Sequence, residues 1–395
     1  MILNTKQYLG PCACGRDHEL RTKLVVCEYG ALNHFEQYMA DCGLSGHRIV
    51  IYDTNTYNLP GMIHVRADQE IILEAKGLHS EKGLIEDCMT RFEQTPDYVV
   101  VVGGGTLMDF GRYSAWRLGI PFVAIPTIVS SDGFTADICS IIIDGQKKSI
   151  PMQAADAVIC DMNIIAGAPM FLNIAGVQDI LAKHVSIADW KIAHIVSGEY
   201  FCDKVCDMAQ EALDLMTRCA YDLKAGKEPD IETMAYTQML SGLTMQILSN
   251  SRAASGAEHL VAHLVEMKPR GFENAHGLHG DGCGAIGVLG AAGEGSALQQ
   301  GADKSGSEVV AGARGIDRFH QMRRHGEALI RTLEEAAAAS DLDHHVAHAG
   351  RKQRVCHGLG LFLAGEEARL VVVGEEVVHI GPNLGEVAKR ALGLI

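Results

Sequence analysis

Long apolar runs are missing from this chain of 395 residues. Segments such as Tyr98–Val102 stop at glycine or a polar residue, short of the roughly 20 apolar residues that span a bilayer, so membrane insertion is not expected. The opening "MILNTKQYLGPCACGRDH" lacks a basic flank followed by a hydrophobic core, so no secretory signal is read and the cytoplasm is the expected compartment. Positive charge is also scarce. The formal net charge is −15, which argues against a nucleic-acid partner, because phosphate backbones need a basic face. A small anionic substrate stays compatible if a few cations gather in a cleft. A paired-cysteine framework is absent too: most of the twelve cysteines, Cys27, Cys139 and Cys160 among them, sit singly in apolar segments, where a reduced thiol acts as a small hydrophobe.

What is present alternates. "TKLVVCEYG", "HRIVIYDTN", "PDYVVVVGGG" and "GIPFVAIPTIVSSDG" read as buried strands, and "ALNHFEQYMADCG" and "GLIEDCMTRFEQT" as helices between them. That βαβ rhythm predicts a parallel sheet. From about Met170 the pattern becomes helical throughout, in "VQDILAKHVSIADWKIAHI", "CDKVCDMAQEALDLMTRCAYDL" and "IETMAYTQMLSGLTMQILSNS". The length favours two domains. The expectation is an α/β domain with a parallel nucleotide-binding sheet over residues 1–168 and an all-α domain over 169–395, divided near Gly167–Pro169.

Two features of the first half suit nucleotide chemistry. Asp53 ends the strand "RIVIYD", where its carboxylate could accept hydrogen bonds from a ribose or could simply cap a turn. Gly103, Gly104 and Gly105 follow a buried strand and precede a helix, so backbone can approach a pyrophosphate and helix amides can point at it. The spacing is not the common G-x-G-x-x-G.

In "SGAEHLVAHLVEM", His259 and His263 stand four residues apart and share one helix face. They read either as a metal pair or as one ligand, or none, with the second histidine on the same cleft wall. Glu258 precedes the first histidine, so this is not the H-E-x-x-H of zinc proteases. His279 in "LHGDG" can return from a neighbouring turn. Asp179 lies in an otherwise apolar helix, where an unpaired carboxylate is costly, and would complete a set of two histidines and one carboxylate with an open position.

Taken together, "VVVVGGGTLMD", "IPTIVSSDGFTAD", "GVQDILAKHVSIADWK", "SRAASGAEHLVAH" and "GLHG" resemble, in order and context, the glycerol-1-phosphate dehydrogenases, in particular their bacterial branch, over roughly residues 10 to 280. These belong to a superfamily with glycerol dehydrogenase, iron-containing alcohol dehydrogenases and dehydroquinate synthase. The resemblance implies a dehydroquinate synthase-like fold. It matches Asp179, His259 and His279 to metal ligands, His263 to a substrate contact and Asp132 to a substrate-binding aspartate. It matches the segment Gly104, Gly105, Thr106, Leu107 and Met108, with Asp109 beside it, to the pyrophosphate loop, Thr127 to Ser130 to a nicotinamide-side loop, and Asp53 to the ribose contact. Ala136 stands where a serine touching the cofactor is usual. The implied reaction is reduction of dihydroxyacetone phosphate, a small phosphorylated ketone, to glycerol 1-phosphate by NADH or NADPH. A divalent metal (zinc, nickel or iron) would polarise the ketone, and His263 or a water it positions would supply the proton. Arg252 and Lys148 are candidates for holding the phosphate, and a homo-oligomer is expected.

After about Gly282 the texture changes again. All ten tyrosines and both tryptophans precede it, and the remainder is rich in glycine, alanine, histidine and arginine. A reading-frame shift near residue 281 or free divergence of the tail would account for residues 282–395, and His344, His345 and His348 are read as a chance cluster. Three functional classes stay open: the dehydrogenase, in a glycerol-1-phosphate or glycerol dehydrogenase form; a dehydroquinate synthase-like cyclase, opposed by Asp179 and by "AEHLVAH" in place of "GHxxGHA"; and a nucleotide-binding remnant without activity.

Overall fold

A computed structural model describes residues 2–266, 278–280, 282–284, 359–364 and 367–372. The chain forms two compact units, residues 1–180 with 214–251 and residues 181–213 with 252–395.

The first unit is built on a seven-stranded sheet. Its strands are β1 (Ile2–Leu3), β4 (Leu24–Glu28), β5 (Arg48–Asp53), β6 (Gln69–Leu73), β7 (Tyr98–Gly103), β8 (Phe122–Pro126) and β11 (Ala157–Asp161), in the order β1-β4-β11-β8-β7-β5-β6. Only β1 runs antiparallel to its neighbour. Every residue of β7, β8 and β11 is buried, as a parallel sheet covered on both faces requires, and this is why these strands are apolar at every position rather than alternately. The helices α1 (Phe35–Asp41), α2 (Thr54–Tyr57), α3 (Lys82–Thr90), α4 (Gly105–Leu118) and α5 (Met162–Ala166) connect the strands. On one face Phe35, Tyr38 and Met39 of α1 pack in a single core cluster with Val26, Val50, Val100 and Val123.

Two hairpins stand apart from the sheet. One pairs β2 (Gly10–Pro11) with β3 (Asp17–His18). The other pairs β9 (Ile138–Ile143) with β10 (Gln146–Pro151) around Asp144-Gly145, both at positive φ, the conformation that an Asp-Gly hairpin turn needs.

The long helices follow the expected segments: α6 (Met170–Ser197), α7 (Asp203–Lys224), α8 (Ile231–Leu248) and α9 (Ala257–Glu266). The change of texture near Gly167–Pro169 coincides with the start of α6, but the compact units interleave, since α6 and α7 each contribute to both. Within the first unit α8 is almost wholly buried. The Thr135 hydroxyl donates to the Met239 carbonyl at 2.8 Å, and the Gln246 amide donates to Thr22 Oγ1 at 2.7 Å. Gly176 on α6 presses against the Val129 carbonyl, and Gln238 Nε2 donates to the Gly176 carbonyl at 2.6 Å. In the second unit β12 (Leu359–Ala364) and β13 (Glu367–Val372) form an antiparallel pair, a departure from an entirely helical second half. Apart from residues 282–284, the rest of the atypical tail, with His344, His345 and His348, lies outside the described residues.

Candidate functional site

The strand order reverses at β5, which has β6 on one side and β7 on the other, and such switch points open a crevice at the carboxyl ends of the strands. Asp53 ends β5, Gly103 ends β7, and Thr127 directly follows β8, so these expected cofactor residues sit on three adjacent strand ends. The Thr127 amide donates to the Gly103 carbonyl at 3.2 Å. Asp53 Oδ1 accepts from the Thr56 amide at 2.7 Å in a reciprocal cap of α2, which occupies one of its two oxygens.

The three glycines differ in what they permit. A Cβ on Gly103 would strike the Leu107 side chain, and one on Gly104 would come 3.1 Å from Ile128 Cδ1, whereas one on Gly105 would meet nothing within 4 Å. Packing therefore explains the first glycine, and the third faces open space. α4 starts there with no side-chain cap, which leaves its first amides available to an anion. Leu107 and Met108 turn their side chains into the core, so they can offer only backbone. Asp109 is buried, with Oδ1 at 3.0 Å from Arg112 Nη1 and Oδ2 accepting from the Ser80 hydroxyl at 2.9 Å. Burial raises its pKa above the ordinary carboxylate range, with Arg112 opposing. Both oxygens are thus engaged within the protein, and the side chain belongs to the packing of α4. Thr127 is buried and Ser130 half-buried, and their loop is pinned where the Val129 amide donates to Asn173 Oδ1 at 3.1 Å.

A short turn follows at Asp132–Phe134. Asp132 Oδ2 accepts from the Ser241 hydroxyl at 2.7 Å, and the Asp132 amide donates to Asp179 Oδ2 at 3.2 Å. Both carboxylates are buried, at 8% and 1% exposure. The expected substrate aspartate and the expected acidic metal ligand are therefore fixed to each other through one backbone amide.

The histidines belong to the second unit. α9 begins where the Ala257 amide donates to Asp189 Oδ2 at 2.9 Å. Glu258 Oε1 accepts from the Gly256 amide at 3.0 Å and lies 2.6 Å from His259 Nδ1. Glu266 Oε1 lies 2.7 Å from His279 Nδ1, and its Oε2 lies 3.4 Å from His263 Nδ1. The rings of His263 and His279 stack at 4.8 Å and 18°, and those of His259 and His279 meet edge to face at 5.3 Å. With Nδ1 of both His259 and His279 on a carboxylate, Nε2 is the nitrogen left to face a metal, the arrangement that fixes tautomer and orientation in histidine metal sites. Cys283 Sγ lies 3.5 Å from His279 Nε2 and packs with Ala182 and Ala262. Burial alone would lower the His279 pKa, but Cys283 and Glu266 outweigh it and push it up to about 10. Burial likewise raises Cys283, and His259 with His279 bring its thiol below the ordinary value.

The sequence reading missed three of these groups. Glu266 follows His259 and His263 at i+7 and i+3, on the same helix face, and Cys283 follows His279 at i+4, so both were readable from spacing. Glu258 served only to exclude a protease motif. Of the two phosphate candidates, Arg252 is drawn into a two-pronged ion pair with Glu199 at 2.7 and 3.0 Å, and Lys148 is exposed on β10.

Among the described residues no helix is long and apolar enough to cross a membrane. Residues 26–169 match the family model for iron-containing alcohol dehydrogenase. The chain is 29% identical to a glycerol-1-phosphate dehydrogenase of Halalkalibacterium halodurans over 362 residues, covering 89% of each chain. That span continues past Gly282, where the likeness was expected to fade. It is 31% identical to the same enzyme of Bacillus licheniformis over 299 residues, covering 72% of this chain and 74% of the relative. Among solved structures, an iron-containing alcohol dehydrogenase of Thermotoga maritima aligns with a TM-score of 0.55 at 14% identity, covering 95% of this chain and 99% of that one. A probable glycerol dehydrogenase of Sinorhizobium meliloti aligns at 0.55 and 20%, covering 76% and 81%. The fold is therefore that of the iron-containing alcohol dehydrogenases, and the chain belongs to the glycerol-1-phosphate dehydrogenase family.

Proposed function

We propose that this protein reduces dihydroxyacetone phosphate to sn-glycerol 1-phosphate, using NADH or NADPH and one divalent metal. The observation that carries this reading is the pair of imidazoles on α9 and at His279 whose Nδ1 atoms are each held by a carboxylate. His259 and His279, with Asp179, would hold the metal, and Cys283 adds a soft donor beside them, a set that suits zinc, nickel or iron over magnesium. The open space above Gly105 and the uncapped start of α4 fit a pyrophosphate, with Asp53 toward the ribose and Thr127 to Ser130 on the nicotinamide side. When bound, the nicotinamide supplies the hydride and the metal the Lewis acidity.

The protein's own groups do the rest. Asp132, braced by Ser241, orients a substrate hydroxyl. His263, with Nδ1 toward Glu266, is left with Nε2 to deliver a proton to the oxygen on C2 of the product. A second reading, a glycerol dehydrogenase-like enzyme, gains from the engagement of Arg252 by Glu199, which removes the better phosphate candidate from ready use. Purified protein assayed by NADH and NADPH oxidation separates them. Much faster turnover of dihydroxyacetone phosphate than of dihydroxyacetone, with a single enantiomer of product, is expected, because a phosphate anchor fixes the ketone for reaction. Equal rates on the two ketones would favour the second reading.

A further inference from the structure

The hairpin of β2 and β3 carries a donor cluster that the proposed reaction does not use. Its strands are two residues each, paired Gly10 to His18 and Pro11 to Asp17. The loop between them closes through the Cys12 amide donating to the Arg16 carbonyl at 3.0 Å and the Gly15 amide donating to the Cys12 carbonyl at 3.0 Å, with Gly15 at φ +85. This folds Cys12 and Cys14 back over His18. The two sulfurs and an imidazole nitrogen lie within 4.8 Å of one another, and Cys14 Sγ is 3.3 Å from His18 Nε2. His18 is 2% exposed, the cysteines are half-buried, and neither sulfur is in a disulfide.

A pair of two-residue strands is too small to hold itself together in water. Convergence of three soft donors within seven residues gives this one a reason to exist. In a tetrahedral zinc site, with Zn–S near 2.3 Å and Zn–N near 2.0 Å, ligand atoms stand roughly 3.5 to 4 Å apart, within the spread seen here. We propose that Cys12, Cys14 and His18 bind a structural zinc ion, distinct from the active-site metal, that staples the N-terminal hairpin. The two thiolates come from the loop and the imidazole from β3, and one tetrahedral corner is left to a further donor or a water.

The test uses the full-length chain, produced with zinc under reducing conditions and carrying His259→Ala and His279→Ala so that active-site metal is absent. About one zinc per chain should remain by plasma emission, and replacement by cobalt(II) should give a thiolate-to-cobalt charge-transfer band, since structural zinc sites take up their metal stoichiometrically. Cys12→Ser with Cys14→Ser should remove both signals. Cys14→His should keep the zinc while weakening the charge-transfer band, which distinguishes loss of a ligand from general misfolding. The proposal is overturned if the His259→Ala, His279→Ala protein holds no zinc, if the serine variants keep theirs, if Cys14→Ser and Cys14→His lose zinc alike, or if mass analysis finds Cys12 and Cys14 joined by a disulfide. None of those results bears on the reductase reading.

Discussion

Replacing Glu258 with glutamine tests whether the carboxylate behind His259 tunes a metal site or merely fills space. The Glu258 side chain is 1% exposed, and its Oε1 is shared between the Gly256 amide and His259 Nδ1, the latter at 2.6 Å. Its Oε2 is buried with no partner among the described residues, a costly arrangement unless a cation is near. Glutamine keeps the shape and one accepting oxygen but not the charge. A hydrogen bond to a charged group contributes about 1.5–3 kcal/mol and a neutral one about 0.5–1.5 kcal/mol, so the change removes about 1–1.5 kcal/mol of support for an imidazole bound to a dication. At about 1.4 kcal/mol per decade this is roughly a tenfold loss of metal affinity, at the low end of the 10- to 100-fold typical when such outer partners are removed. Competition against a chromogenic chelator measures it directly. The melting temperature of the metal-free protein should hold or rise, because a buried charge has gone, while the increment on adding metal shrinks by about 1.4 kcal/mol at saturation. Metal affinity within about twofold of wild type would refute the reasoning, and so would an equal fall in the melting temperatures of the metal-free and metal-loaded forms.

His263→Ala should keep its metal and its NADH affinity and lose turnover by roughly a hundredfold or more, the usual cost of a missing acid–base group. Loss of metal from this variant would instead move ligation to the neighbouring His263, Glu266 and His279 donors, which also lie within reach of one another. Gly176→Ala would drive a Cβ into the Val129 carbonyl and the Gln238 amide, so urea denaturation should show a loss of about 1–3 kcal/mol together with weaker cofactor binding; an unchanged midpoint would mean that helix α6 and the Thr127 to Ser130 loop are not in close contact. Asp137 has its pKa raised by burial, so its contribution to stability is present below the ordinary aspartate range and is lost as pH rises through its folded value. Asp137→Asn should therefore melt higher than wild type at pH near 7, with the gap closing as pH falls toward 4; a gap independent of pH would contradict this.

The strands that were legible in the sequence are those buried on both faces. β4, β5, β7 and β8 announce themselves as short apolar runs ended by glycine or a polar residue, because a central parallel strand has no solvent side to mark it with polar side chains. β6 and β10 are partly exposed, and their mixed composition hid them among loops, whereas β9 and the fully buried β11 are apolar yet equally absent from the strands read in the sequence. The membership of α8 in the first unit was illegible for a different reason. It rests on contacts between residues more than a hundred positions apart, Thr135 with Met239 and Thr22 with Gln246, and texture along the chain carries no record of such pairings. Arg252 shows the same limit at the site: its charge was readable, but its engagement by Glu199 was not.

The segment "AEHLVAH" shows most sharply what spacing can and cannot decide. Two histidines four apart on a helix are equivalent as sequence, each able to reach the same side. Their surroundings break that equivalence. His259 is 5% exposed and has a carboxylate from the adjacent residue at 2.6 Å on Nδ1, which fixes the ring. The His263 side chain is 25% exposed, and its Nδ1 meets Glu266 only at 3.4 Å, on a carboxylate whose shorter contact is to His279 at 2.7 Å. A ring held rigidly by a short, buried, charged contact is suited to constant coordination. A ring with a longer contact and access to solvent has room to meet a substrate oxygen, the role proposed for His263. The division of labour proposed for the two histidines would therefore come from the unequal carboxylates behind them, and Glu258 and Glu266 are the residues to alter if it is to be reversed.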